Sequence, residues 1–211
     1  MSTLSVAIDP RSRKVRLALV AWLAGALVVA VSEVIGRHVI RLPAIVPALV
    51  IGITTLALLV HRRSEAFRHF TATADLRPAI LFHLVRVGYG AAFLALGAAG
   101  ELHPTFAWNA GIGDVVAGAL ALPAAWLAGR GSRRLVFAWN ALALFDILLA
   151  LGTAQRLIWI DGERTLFAPM QDFPFTLLPV LVLPWILLGH LWIFARLRRP
   201  AALTGAPAGT R

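Results

Sequence analysis

Six separate runs of apolar residues, at 17–36, 43–60, 79–100, 110–128, 135–154 and 175–195, constrain this chain more than any other feature. A bilayer core takes about 20 residues of α-helix, or about ten residues of alternating barrel strand. The runs match the first pattern and lack the alternation of the second. Lipid offers the backbone no hydrogen-bond partner, so each run must satisfy its own N–H and C=O groups as a helix. The expected fold is therefore all-α: a polytopic membrane protein with a bundle of six transmembrane helices. Residues 1–16 read as a basic N-terminal segment, 17–199 as the transmembrane domain and 200–211, rich in Ala, Gly, Pro and Thr, as a disordered tail.

Composition excludes several classes. Only 14% of the 211 residues are charged, against about a quarter in soluble domains. There is no cysteine, which removes disulfides, thiolate nucleophiles, zinc–thiolate sites and iron–sulfur clusters. A net charge of +10 in a soluble protein would suggest nucleic acid. Here the basic residues fall between the apolar runs, so the partner they fit is a lipid bilayer and not a nucleic acid. All but one of the basic residues are arginine, a usage that points to a GC-rich bacterial genome and so to a bacterial inner membrane.

The arginines also orient the chain, because cytoplasmic loops collect Lys and Arg. Fifteen basic residues lie on one side: Arg11, Arg13, Lys14, Arg16, Arg62, Arg63, Arg68, Arg77, Arg130, Arg133, Arg134, Arg196, Arg198, Arg199 and Arg211. The other side has Arg37, Arg41, Arg156 and Arg164, and Arg86 lies within a run. Both termini are expected in the cytoplasm. The first run with Ala30-Val31-Ser32 has the outline of a signal peptide, but it continues through Glu33 to Gly36, longer than a signal sequence needs.

Ionisable groups inside spans are expensive and usually face the bundle interior. Here they are Glu33, His83, Arg86, Asp114, Asp146 and His190, with Asn140 as a neutral companion. Counting from the basic loops puts His83 and His190 at similar depth in the inner half and the acids in the outer half, with Arg86 between them. Asp146 is the expected counter-ion of Arg86. Asp114, near the start of the fourth run, reads either as a helix cap or as a functional carboxylate. His83 and His190 read as helix-packing residues, or as a pair of ligands to haem b or a metal ion with Arg86 beside it.

Four blocks carry a resemblance: FHLVRVGYGAAFL (82–94), AGIGDVVAG (110–118), WNALALFDILLA (139–150) and LPVLVLPWILLGHLWIF (178–194). Together they resemble a family of uncharacterised bacterial six-helix integral membrane proteins, over roughly residues 79–199. The resemblance implies a shared fold and no particular function. Gly111-Ile112-Gly113-Asp114 also resembles the GxGD motif of intramembrane aspartyl proteases, which would make Asp114 and Asp146 a catalytic pair. Against this, the GxGD aspartate comes first in this chain rather than second, and the proline-alanine-leucine motif is missing.

Three functional classes follow from the residues. One is a protein binding haem, a metal or an ion inside the bundle. Another is a small solute or ion transporter, with Pro179 and Pro184 breaking the sixth helix. The third is a structural or accessory subunit, working as a homo-oligomer or in a membrane complex. Six ionisable groups in six short spans exceed what helix packing needs, which favours the first.

Overall fold

The computed structural model describes residues 10–32, 34 and 44–198. Glu33, Arg37, Arg41 and the tail at 200–211, all named above, lie outside the described residues. The chain runs through α1 (Pro10–Val31), α2 (Ile45–Arg63), α3 (Glu65–Thr73), α4 (Arg77–Ala98), α5 (Pro104–Gly129), α6 (Arg133–Trp159) and α7 (Leu178–Leu197). No strand occurs among the described residues. All of these helices except α3 are long and apolar enough to cross a membrane.

Several helices overrun their apolar runs, and local chemistry explains where they stop. α5 begins at Pro104, a residue with no N–H to satisfy in a first turn. His103 caps it, its Nδ1 accepting from the Thr105 N–H at 3.2 Å. α6 continues to Trp159 and ends where Gly162, at φ 76°, lets the Glu163 N–H return to the Leu157 carbonyl. The amphipathic α3 falls in what reads from sequence as a plain basic loop. Ser64 starts it, with Oγ accepting from the Phe67 N–H. Arg196 and Trp192 of α7 hold its far end: the Arg196 guanidinium donates to the Thr71, Ala72 and Ala74 carbonyls, and the Trp192 indole donates to Thr71.

Prolines set the irregularities. Pro123 has no N–H for the Ala119 carbonyl, and the helical pattern of α5 breaks at Leu120 between its two segments. α7 opens with a π-turn at Leu178–Val182 just before Pro184. Pro184 has no N–H to offer the Val180 carbonyl four residues back, and the Trp22 indole of α1 donates to that carbonyl at 3.0 Å. Nearby the Thr176 hydroxyl donates to the Ala30 carbonyl, close to the end of α1.

The tightest contact is between α4 and α5, along a seam of small residues. A Cβ on Gly90 would lie 2.6 Å from the Gly111 carbonyl oxygen, and one on Gly118 would lie 3.0 Å from the His83 carbonyl oxygen. A Cβ on Gly97 would run into Ala107. Small residues here let two backbones meet, which adds dispersion contacts between the helices. α6 and α7 complete a four-helix core, with Ala117, Ala121, Ala124, Trp139, Ala143 and Ile193 at its centre. α1 and α2 flank α7 through Trp22, Leu49, Leu181 and Trp185. The start of α4 meets the end of α5, where Gly129 faces Arg77, and the start of α6 meets the end of α7, where Arg133 donates to the Leu197 carbonyl. The arginines of these segments thus share one end of the bundle, called here the basic end.

Candidate functional site

The helical repeat places His83, Arg86 and Gly90 on one stripe of α4, and Asn140, Ala143 and Asp146 on one stripe of α6. These stripes face each other across the core, with Asp114 arriving from α5 and His190 from α7. The result is a continuous polar column inside an apolar bundle.

Arg86 is its hub, only 1% exposed. Its Nε donates to Asp114 Oδ1 at 2.7 Å and its Nη1 to the Ala143 carbonyl at 3.0 Å. Its Nη2 donates to Asp146 Oδ2. One planar guanidinium therefore ties α4 to both α5 and α6, a geometry that a lysine's point charge cannot reproduce. Glycines make it fit. A Cβ on Gly113 would strike the Asp146 carboxylate, and one on Gly90 would lie 2.9 Å from the Asp114 Cβ. The structure thus brings Asp146 to Arg86 and adds Asp114 as a second counter-ion.

Three expectations are corrected here. Asp114 is no helix cap, because α5 starts ten residues earlier at Pro104 and His103 takes the capping position. Asp146 is not in the outer half. It is thirteen residues from each end of α6, whereas Asp114, ten residues into α5 and fifteen from its basic end, stays on the outer side of the middle. Nor do the two aspartates form a protease pair. Such a pair shares a proton directly between its carboxyls, and here each carboxylate is bonded to the Arg86 guanidinium instead.

One turn towards the basic end, His83 and His190 meet. Their ring centroids are 4.5 Å apart with the planes at 64°, and both residues are fully buried. The Trp139 ring packs on His83 at 5.1 Å. Asn140 fixes the state of His190. Its Nδ2 donates to the His190 backbone carbonyl at 3.2 Å, and a carbonyl can only accept. Asn140 Oδ1, 2.8 Å from His190 Nδ1, must then be the acceptor, so Nδ1 carries the hydrogen. His190 Nε2 is left with a bare lone pair. That atom and both ring nitrogens of His83 are buried with no hydrogen-bond partner.

Haem, one of the readings left open for the histidine pair, does not fit this arrangement. Porphyrin is a flat slab between two axial ligands, and each ligating nitrogen stands about 2 Å from its metal ion. Two imidazoles in ring-to-ring contact leave no layer for it. A tetrahedral metal ion needs four ligands, and no group of three or more His, Cys, Asp or Glu is arranged to hold one among the described residues.

Sequence reasoning missed several buried polar groups. Arg196 reads as a membrane flank but is 4% exposed. Tyr89, the one tyrosine of the chain, donates to the Pro174 carbonyl, and the Trp139 indole donates to the Ala117 carbonyl. Periodicity carried a hint of Tyr89, which is three residues beyond Arg86 on α4. Nothing in the sequence marks a carbonyl as the partner.

The sequence pattern of a domain of unknown function, DUF8737, matches residues 43–198. The chain belongs to this family. The DUF8737 region spans α2 to α7 and contains every member of the polar column, while α1 precedes it. The match is consistent with the resemblance to an uncharacterised family and begins earlier in the chain, at residue 43. No curated protein and no solved structure matches the chain.

Proposed function

We propose that this DUF8737 protein is an integral protein of the bacterial inner membrane, with both termini in the cytoplasm, and that its polar column binds one proton. The observation that carries this reading is the charge balance at Arg86: one guanidinium serves two carboxylates, Asp114 and Asp146. With both acids ionised the cluster carries one uncompensated negative charge in the middle of an apolar bundle. Such a charge costs several kcal/mol in a low-dielectric interior. A hard metal cation would compensate it only with a shell of several oxygens. A proton needs a single lone pair, and either carboxylate supplies one. Binding an ion inside the bundle is the first of the classes the sequence favours, with the proton as the ion, and it is the chemistry a proton-coupled carrier requires. The alternative of a purely structural ion triad is separated by the test.

Difference infrared spectroscopy of the purified protein should show the carbonyl band of a buried carboxylic acid near neutral pH. The band should vanish in Asp114→Asn and in Asp146→Asn, because one aspartate then balances Arg86 alone. Wild-type protein without that band at any pH where it stays folded would leave a fully ionised, structural triad.

The orientation has its own test. Reporter fusions after Arg77, Arg134 and Arg199 should read as cytoplasmic, and those near Arg41, His103 and Glu163 as periplasmic. A cytoplasmic signal at Glu163 would overturn the six-span topology.

A further inference from the structure

We infer that His83 and His190 form a second station for the same proton, sharing it between their rings. This deepens the proton reading but rests on a separate observation: three ring nitrogens, wholly buried, with nothing to bond. Buried polar atoms almost always have a partner, and an orphan calls for an occupant. A metal ion is short of ligands here, as shown above. The two imidazoles are in edge-to-face contact, with centroids 4.5 Å apart and planes at 64°, so a ring rotation aims an N–H of one at the lone pair of the other.

The two rings are not equivalent. His190 has its Nδ1–H tied to Asn140, so a proton arrives and leaves only at Nε2. His83 has neither nitrogen tied, so it accepts a proton at one and releases another from the opposite one, exchanging tautomer. Only N–H bonds form and break, and no electron moves. Asn140 is therefore a positioning residue, keeping the His190 lone pair aimed away from itself.

Charge balance links the two stations. The charged and titratable groups around the pair are Arg86 on α4, Asp114 on α5, Asp146 on α6 and, towards the basic end, Arg196 on α7 held against the end of α3. Arg86, Asp114 and Asp146 sum to one negative charge. A single proton on a carboxyl, or on the imidazole pair, brings the column to neutrality. One proton thus has two residences within the column, and the fixed positive charge of Arg86 offsets one of the two carboxylates.

The test is nitrogen NMR of the full-length, histidine-labelled protein in lipid bilayers, with ring signals assigned by His83→Gln and His190→Gln. His190 Nδ1 should remain protonated at every pH. Below neutrality the pair should carry one proton more than two neutral rings hold, correlated with nitrogens of both, and this extra proton should be lost in Asp146→Asn, where the column is neutral without it. Asn140→Ala keeps both rings but should release His190 from its single tautomer. The inference is overturned by a bare His190 Nε2 with no cross-ring proton at any pH where the protein is folded, by ring nitrogens bonded to water alone, or by a stoichiometric metal in elemental analysis. A carboxylic-acid band without a cross-ring proton sinks this inference and leaves the carboxylate site. A cross-ring proton without the band does the reverse.

Discussion

Arg86→Gln is expected to destabilise the protein by about 3–5 kcal/mol, the usual cost of removing one partner from a buried ionic group. The reason is on both sides of the residue. Asp114 and Asp146 lose the donor they share, and the Ala143 carbonyl loses its side-chain partner. Arg86→Lys should fall between, since a single ammonium cannot reach both carboxylates and the carbonyl in the guanidinium's plane. Thermal unfolding in detergent, at matched expression, is the measurement. The triple change Arg86→Gln with Asp114→Asn and Asp146→Asn should recover much of the loss, because it leaves no charge unpaired. If the triple variant is no better than Arg86→Gln alone, the three residues do not act as one electrostatic unit.

Gly90→Ala should cost at least about 1–3 kcal/mol, the range for forcing an extra carbon into a packed core. The new methyl would meet backbone on α5, with the Gly111 carbonyl oxygen at 2.6 Å and the Val115 nitrogen at 2.9 Å. Backbone cannot swing aside as a side chain can, so α4 must lift from α5. That movement would also separate Arg86 from Asp114. Gly88→Ala is the control: it lies on the same helix with nothing within 4 Å of its Cβ position. It should change stability by no more than about 1 kcal/mol, the helix-propensity difference. Equal losses at Gly88 and Gly90 would refute close backbone approach as the cause.

Much of the fold was legible because its cause is local. Each apolar run must be helical for reasons contained in the run itself, and the described residues do form six helices of membrane-crossing length. The boundaries were less legible. Apolar runs mark the lipid-compatible part of a helix, whereas caps such as His103 with Pro104, or Gly162, decide where hydrogen bonding stops. That error had a consequence for the site. Reading α5 as starting near Ala110 made Asp114 look like a cap rather than a residue ten positions into the helix. The amphipathic α3 was missed because it is short and lies among arginines, and its anchors come from α7, far along the chain.

By itself the sequence determined that His83, Arg86, Asp114, Asn140 and His190 face inwards, since polar groups in an apolar helix have few other places to go. It also determined that His83 and His190 lie at one level, because depth follows from residue counts along rigid helices. Which helices touch is a different kind of quantity. It depends on how side chains of several helices fill one space, and no single run contains that information. Only the tertiary structure decided that α4 packs on α5 through glycines, which makes Asp114 as well as Asp146 a partner of Arg86. Only the tertiary structure put the two imidazoles in contact and gave Asn140 to His190. The glycines around Asp114 follow from the same packing: Gly113 leaves the space that the Asp146 carboxylate fills, and Gly111 and Gly118 let α4 come close.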